Sequence, residues 1–467
     1  MPTMDLFDNV SPLDYRYYGR DKETFEALKK FFSENSRVAY QAKVEAALVK
    51  ALAKKEICTA EIASEITEAT KKVSAEEVYA EEDKIKHDIR ALANCIRSKV
   101  SEKARPFVHF SATSYDIVDS ANALRFKEAT EQAMLPVLLE LEKTLIEIAL
   151  REKETLQIGR THGQHAEPIT FGFAVAGYAS RLGNRIKAIE NAKNNLVGKF
   201  SGAVGAYNAS SLFFENPIEF EQAVLGELGL KPSVSSTQIV EAEPLTDLMH
   251  AFVSTFSVLA NIADDLRHLQ RSEIGEVGEA FEAKQVGSST MPQKRNPINF
   301  ENIKSFYKEF LPRMITVYLD QISEHQRDLT NSASQRFLNE ICVALYASAF
   351  RLNKVMKKMS VDKANMQKNF SQNSGLIVAE PLYILLAFFG HPNAHEAVRE
   401  LTLKAQAEGK PLQEIIKQEK ELAPFLEKFS AKQKQLLEDP KHYTGIAAAK
   451  TQKICEHWKK ELSLIGD

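Results

Sequence analysis

The run Leu248-Met249-His250-Ala251-Phe252-Val253-Ser254-Thr255-Phe256-Ser257-Val258-Leu259-Ala260-Asn261-Ile262-Ala263-Asp264-Asp265-Leu266-Arg267-His268-Leu269 decides the fold. Leu248, Phe252, Phe256, Leu259, Ile262, Leu266 and Leu269 recur at steps of three and four, so a helix gathers them on one stripe. A helix this long buries its stripe only against partners of similar length. Comparable patterns run from about Asp116 to Glu152, with Pro136 as a kink, and from Pro168 to about Leu196; others follow Pro297 and Asn331. Helix formers with short breaks fill Thr24 to Val100, and alternating β-branched runs are nearly absent. The expectation is an all-α chain of three helical domains, 1–110, 111–364 and 365–467, the middle one an antiparallel long-helix bundle. Bundle helices apolar on several faces predict a homo-oligomer.

Composition bounds what such a chain does. Its 467 residues are 44% hydrophobic and 26% charged, an ordinary globular balance that suits two or three domains. Sixty Lys and Arg against 63 Asp and Glu give a net charge of −3, with no general pull toward nucleic acid or an anionic membrane. Cys58, Cys95, Cys342 and Cys455 are scattered without a C-x-x-C pair, which suggests neither a zinc site nor a disulfide framework and fits a reducing cytoplasm. The start of the chain has no basic segment leading into an apolar core, and the run Leu382 to Phe389 is too short to span a bilayer; neither export nor a membrane anchor is expected.

Polar motifs interrupt the helices. Gly287-Ser288-Ser289-Thr290-Met291-Pro292-Gln293-Lys294-Arg295-Asn296-Pro297 combines hydroxyls, cations and an amide behind Gly275, Gly278 and Gly287, and ends at a proline suited to a helix start. A movable loop that closes over a ligand fits this composition better than a plain linker. Gly159-Arg160-Thr161-His162-Gly163-Gln164-His165-Ala166-Glu167-Pro168 puts two histidines in a turn just before a helix expected from Pro168, where they either cap or exchange protons. Val108-His109-Phe110-Ser111-Ala112-Thr113-Ser114-Tyr115-Asp116 clusters hydroxyls ahead of another helix; Ser114 or Asp116 serves as a cap there, or the helix start holds an anion. Lys86-His87-Asp88 reads on its own as a solvated helix face, and Gln326-Arg327-Asp328-Leu329-Thr330-Asn331-Ser332 with Ser334-Gln335-Arg336 as a solvated helix end.

Taken together these strings resemble the fumarase/aspartase superfamily, whose signature G-S-S-x-M-P-x-K-x-N-P the loop matches. Ser11-Pro12-Leu13-Asp14-Tyr15-Arg16-Tyr17, the T-H-G-Q-H-A-E-P string and Gln326-Arg327-Asp328-Leu329-Thr330 are similar to its purine-biosynthetic branch, and the likeness continues to Asp439-Pro440-Lys441-His442-Tyr443-Thr444-Gly445. Gln293 departs toward the argininosuccinate branch, and Glu241-Ala242-Glu243-Pro244 replaces the more usual basic or His-Asp continuation.

The resemblance implies β-elimination of fumarate from adenylosuccinate, giving AMP, and from the succinylcarboxamide ribotide, giving its aminoimidazole carboxamide product. It implies Ser288 as base and His162 as acid on the departing nitrogen, with Lys294 and Asn296 stabilising the carbanion and Ser289 beside the base. By the same resemblance Thr113 and Ser114 hold a substrate carboxylate, and Gln238 and Asn302 the succinyl or base portion. Lys86, His87 and Asp88 belong to the nucleotide pocket, and Arg16, Tyr17, Arg327, Ser332 and Arg336 meet phosphate and sugar. It implies small nucleotide substrates, no nucleic-acid or membrane partner, no metal or organic cofactor, and a cytoplasmic homotetramer whose sites are shared between subunits. Alternatives are an argininosuccinate lyase, a carboxymuconate cycloisomerase and a non-catalytic crystallin-like relative.

Overall fold

The computed structural model describes residues 5–281, 284–326 and 330–464. It is an all-α structure, 67% helical, with a few short strands. The run that opened the sequence forms the helix Glu243–Leu269. Leu248, Phe252, Phe256, Leu259, Ile262 and Leu266 are buried along it, while Leu269 is half-buried. Each such side chain removed from water contributes roughly 1.5–3 kcal/mol. The helix is long and apolar enough to cross a membrane, yet 67% of its most apolar window is buried inside the fold, as in a core helix.

The chain divides into two compact units. The first comprises Met1–Glu140, Asn184–Ala260 and Ile303–Arg351. Within it the helix Glu34–Lys54 packs on Ala60–Thr70, Ser114–Ala129 and Pro217–Glu227. The second comprises Leu141–Gly183, Asn261–Asn302 and Leu352–Asp467. There Val378, Leu382 and Leu386 join Val398, Leu401, Leu412 and Ile415 in one cluster, so one face of the short apolar run near residue 385 is core, while Ile384 and Phe388 are exposed.

The kink expected at Pro136 takes a definite form. The helix Ser114–Ala129 passes into a π-helical stretch, Thr130–Met134, before Leu135–Arg151 resumes α geometry. Proline has no N–H and its ring collides with the carbonyl four residues back, and widening the preceding turn relieves both problems.

One local expectation fails. The T-H-G-Q string is an antiparallel hairpin, β1 (Leu156–Thr161) and β2 (Gln164–Thr170), and Pro168 lies in β2 opposite Ile158. The helix begins at Phe171 instead, with Thr170 Oγ1 accepting the N–H of Phe173 at 3.2 Å. Thr161 pairs with Gln164, so His162 and Gly163 alone make the loop, at φ +55° and +76°. Two successive left-handed residues are what a type I′ turn requires, and they match the twist of the paired strands.

Candidate active site

His162 stands exposed at the tip of this hairpin. The strand beneath it is fixed by Arg160, whose Nη2 and Nη1 donate to Glu276 Oε1 and Oε2 at 2.6 and 3.2 Å. Glu276 is fully buried and also accepts from Gln157 Nε2 and Asn369 Nδ2, each at 2.8 Å. The second histidine of the motif, His165, sits opposite Arg160 across the ladder. Burial and then the Arg160 charge hold its pKa below the usual histidine value, so His165 is neutral at pH 7.

The glycine-rich loop supplies a different arrangement. Ser288 Oγ accepts the backbone N–H of Met291 at 3.0 Å and of Thr290 at 3.3 Å. Two donors aimed at one oxygen favour an anionic form over a neutral hydroxyl. Asn296 Nδ2 donates to the Gly287 carbonyl at 2.9 Å and Lys294 N to the Met291 carbonyl at 3.0 Å, tying the loop into a compact ring. Gly287 is required there: a Cβ on it would lie 1.9 Å from the Lys294 carbonyl oxygen. Lys294 and Ser289 project exposed from this ring. Pro297 precedes the helix Ile298–Phe310, whose first N–H groups are already taken by Glu279: its Oε1 accepts from Asn299 and Phe300, both at 2.9 Å. Asn302 lies half-buried on that helix.

A cavity of about 440 Å³ in the first unit gathers the remaining motifs. Lys86, His87 and Asp88 line it with Ser114. Gln238, Ser332 and Arg336, remote from these in sequence, line it too. The Lys86-His87-Asp88 segment is not a continuous helix face. Lys86 is a left-handed helix end at φ +59°, and His87 caps the next helix, Asp88–Arg97, by accepting the Arg90 N–H on Nδ1 at 3.2 Å. A ring nitrogen that accepts carries no proton, so the neutral ring carries its proton on Nε2 and keeps a donor for a ligand.

At the helix Ser114–Ala129 the cap is Thr113, not Ser114 or Asp116. Asp116 Oδ2 accepts the Thr113 N–H at 2.9 Å, while Oδ1 meets the Lys199 ammonium and the Gly202 N–H, the latter at 3.2 Å. Asp116 and Lys199 are both fully buried, a fixed ion pair that frees Ser114 to face the cavity. Arg16 and Tyr17 lie on a π-helical segment, Leu13–Gly19, with the Tyr17 ring 4.3 Å from that of Phe306. They are not among the residues lining this cavity. Arg327 lies outside the described residues.

Sequence reasoning missed Arg37 and Arg125, which line the same cavity, and the buried pair Asp116–Lys199. Arginines inside helices read as solvated, so only the helical spacing from Ser114 to Arg125 pointed inward. Among the described residues no group of three or more His, Cys, Asp or Glu side chains is placed to hold a metal ion.

The chain matches a lyase family over residues 16–308 and the C-terminal domain of adenylosuccinate lyases over 323–444. It is 36% identical to an adenylosuccinate lyase of Pyrococcus horikoshii, across 96% of this chain and 98% of that one. Against the adenylosuccinate lyase of Methanocaldococcus jannaschii it is 35% identical, across 94% of each. Among solved structures it is similar to a 3-carboxy-cis,cis-muconate lactonizing enzyme from Pseudomonas putida, with TM-score 0.82 and 25% identity across 94% of this chain and 98% of that one. A fumarate lyase from a Mesorhizobium species shares the fold at TM-score 0.81 and 22% identity, across 92% and 97%.

Proposed function

Because the chain belongs to the adenylosuccinate lyases within the fumarate lyase superfamily, we propose that it carries out both purine-pathway eliminations through the groups described above. It is a C–N lyase that releases fumarate from adenylosuccinate, giving AMP, and from the succinylaminoimidazole carboxamide ribotide, giving AICAR. The proton to be removed lies next to a carboxylate and is weakly acidic, so both the base and the carbanion need charge stabilisation.

The observation that carries the mechanism is the double N–H contact on Ser288 Oγ. Ser288, as the alkoxide, takes the proton from the carbon next to the carboxylate. Lys294 and Asn296 offset the charge that develops, with Ser289 hydrogen-bonding beside the base. The electron pair forms the fumarate double bond, the C–N bond breaks, and His162 protonates the departing nitrogen. Thr113 and Ser114 hold a succinyl carboxylate, and Gln238 and Asn302 the succinyl or base portion. Lys86, His87, Asp88, Ser332 and Arg336 bind the phosphate and sugar, together with Arg16, Tyr17 and Arg327.

His162 and much of the Ser288 loop are exposed in the single chain, which supports a homotetramer whose sites are completed by neighbouring subunits; the reading takes the enzyme to be cytoplasmic. This reading keeps three domains, 1–110, 111–364 and 365–467. The muconate-type relative shares the fold, but the C-terminal family match and the near full-length relatives favour the purine branch.

An ultraviolet assay tests it directly. Adenylosuccinate should yield AMP and fumarate, and argininosuccinate should not react. Ser288→Ala and His162→Ala should each lose at least ~10²-fold in kcat with the fold intact; near-native turnover in either removes that residue from its role.

A further inference from the structure

Ser114, Val118, Asn122 and Arg125 all line the 440 Å³ cavity, and their spacing of four, four and three is one face of the helix Ser114–Ala129. Arg125 stands ~16 Å along the helix axis from Ser114, at 1.5 Å per residue. It is 4% exposed. Its Nη2 donates to Asn122 Oδ1 at 3.0 Å, but Nε and Nη1 are buried without a hydrogen-bond partner. An unmatched buried cation is costly, and a fold that retains one gains only if something anionic comes to it.

The neighbours narrow what that is. Burial, and next the charge of Arg37, pull the Arg125 pKa down to about 10, so the side chain remains a cation at neutral pH. Arg37 itself is matched by Glu34, at 2.8 Å. That carboxylate is further engaged by the Tyr79 hydroxyl; burial works against its ionisation, but these hydrogen bonds outweigh burial and keep it ionised. Arg336 adds its charge to the same cluster, from the side of Ser332. Arg125 is therefore a buried cation of this wall with two guanidinium nitrogens left unpartnered.

We infer that Arg125 is a positioning residue for the nucleotide phosphate: from the cavity wall its charge strengthens binding of that anion and sets a preference for phosphorylated ligands over nucleosides. The inference rests on the nucleotide reading of this cavity. Because Arg125 acts through its field, charge matters more than shape, and a lysine substitutes for it where a methionine does not.

The experiment compares the parent enzyme, Arg125→Met and Arg125→Lys in steady-state kinetics with adenylosuccinate, inhibition by AMP and by adenosine, and melting with and without inorganic phosphate. In Arg125→Met the KM and the AMP inhibition constant should rise ~10-fold or more, as expected for one charge lost from a low-dielectric wall, with kcat changed less than about 3-fold. Adenosine inhibition should be unchanged, and Arg125→Lys should stay within about 3-fold of the parent throughout. Phosphate should raise the melting temperature of the parent and of Arg125→Lys, and not of Arg125→Met. Unchanged AMP affinity in Arg125→Met, equal weakening of AMP and adenosine, or a ligand-free Arg125→Met that melts well below the parent would each overturn the inference. A parent enzyme that does not turn over adenylosuccinate fails the function instead, and the phosphate melting comparison still decides the role of Arg125.

Discussion

Arg160 and Glu276 form a two-point ion pair, at 2.6 and 3.2 Å, joining the strand that leads to His162 to the segment leading into the Ser288 loop. Glu276 is buried and bound also by Gln157 and Asn369, so Glu276→Gln leaves the Arg160 charge without its match. Breaking such a pair from one side costs roughly 3–5 kcal/mol, more than the intact pair is worth. Urea unfolding should show that loss for Glu276→Gln, and a smaller one for the double change Arg160→Gln with Glu276→Gln. The same single variant should lower kcat more than it changes KM, because the hairpin tip is displaced. Strictly additive stability losses would show that the two side chains are not coupled.

The loop makes a second prediction. Gly287→Ala puts a Cβ where the Lys294 carbonyl stands, and Asn296→Ala removes the amide that closes the ring onto Gly287. Neither change touches the core. Both should leave the melting temperature within a few degrees, yet lower kcat by ~10²-fold, the usual effect of misplacing a reacting group by about an ångström. A calorimetric scan beside a single-turnover assay separates the two effects. Near-native turnover in Gly287→Ala would mean that the ring geometry does not position Ser288.

The long helices were legible because their information is local: Leu248 to Leu269 state their own period, and the structure buries six of the seven stripe positions, Leu269 being half-buried. The hairpin was not. Its strands carry Gln157 and Arg160 facing a carboxylate 119 and 116 residues away, so no alternation of apolar and polar residues marks them. Pro168 invited a helix start, but the register of β1 with β2 claims it first. Of the site, the strings around His87, Ser114 and Arg336 pointed to residues that share a cavity, whereas Arg125 was invisible because burial of a mid-helix arginine is a tertiary fact.

His109 supplies a pH test. Its Nδ1 lies 2.6 Å from Glu45 Oε1, and its backbone N–H donates to Oε2 of the same buried carboxylate at 3.1 Å. Burial opposes the charged ring, but the Glu45 charge and hydrogen bond outweigh it, so the folded pKa lies above the usual 6.5. A histidine raised in this way stabilises fully below its unfolded pKa and loses that contribution as pH rises through the folded value. The stability gap between the parent and His109→Gln, from urea midpoints, should therefore be widest near pH 6 and narrow as pH is raised. A gap that widens with pH would contradict the assignment.

Glu142 titrates with the opposite consequence. It is completely buried on the helix Leu135–Arg151, neither carboxylate oxygen has a hydrogen-bond partner, and burial pushes its pKa up to about 9. In the unfolded chain it ionises near 4.5, so at pH 7 folding must take up a proton there. A raised acid weakens the fold progressively between the unfolded and folded pKa values; at pH 7 the cost is roughly 3 kcal/mol, at 1.36 kcal/mol per unit. Glu142→Gln keeps the shape and removes the proton requirement. It should match the parent near pH 4.5 and unfold at a higher urea concentration at pH 8, with the difference growing between. Equal midpoints at both pH values would place an unrecognised partner against the Glu142 carboxyl.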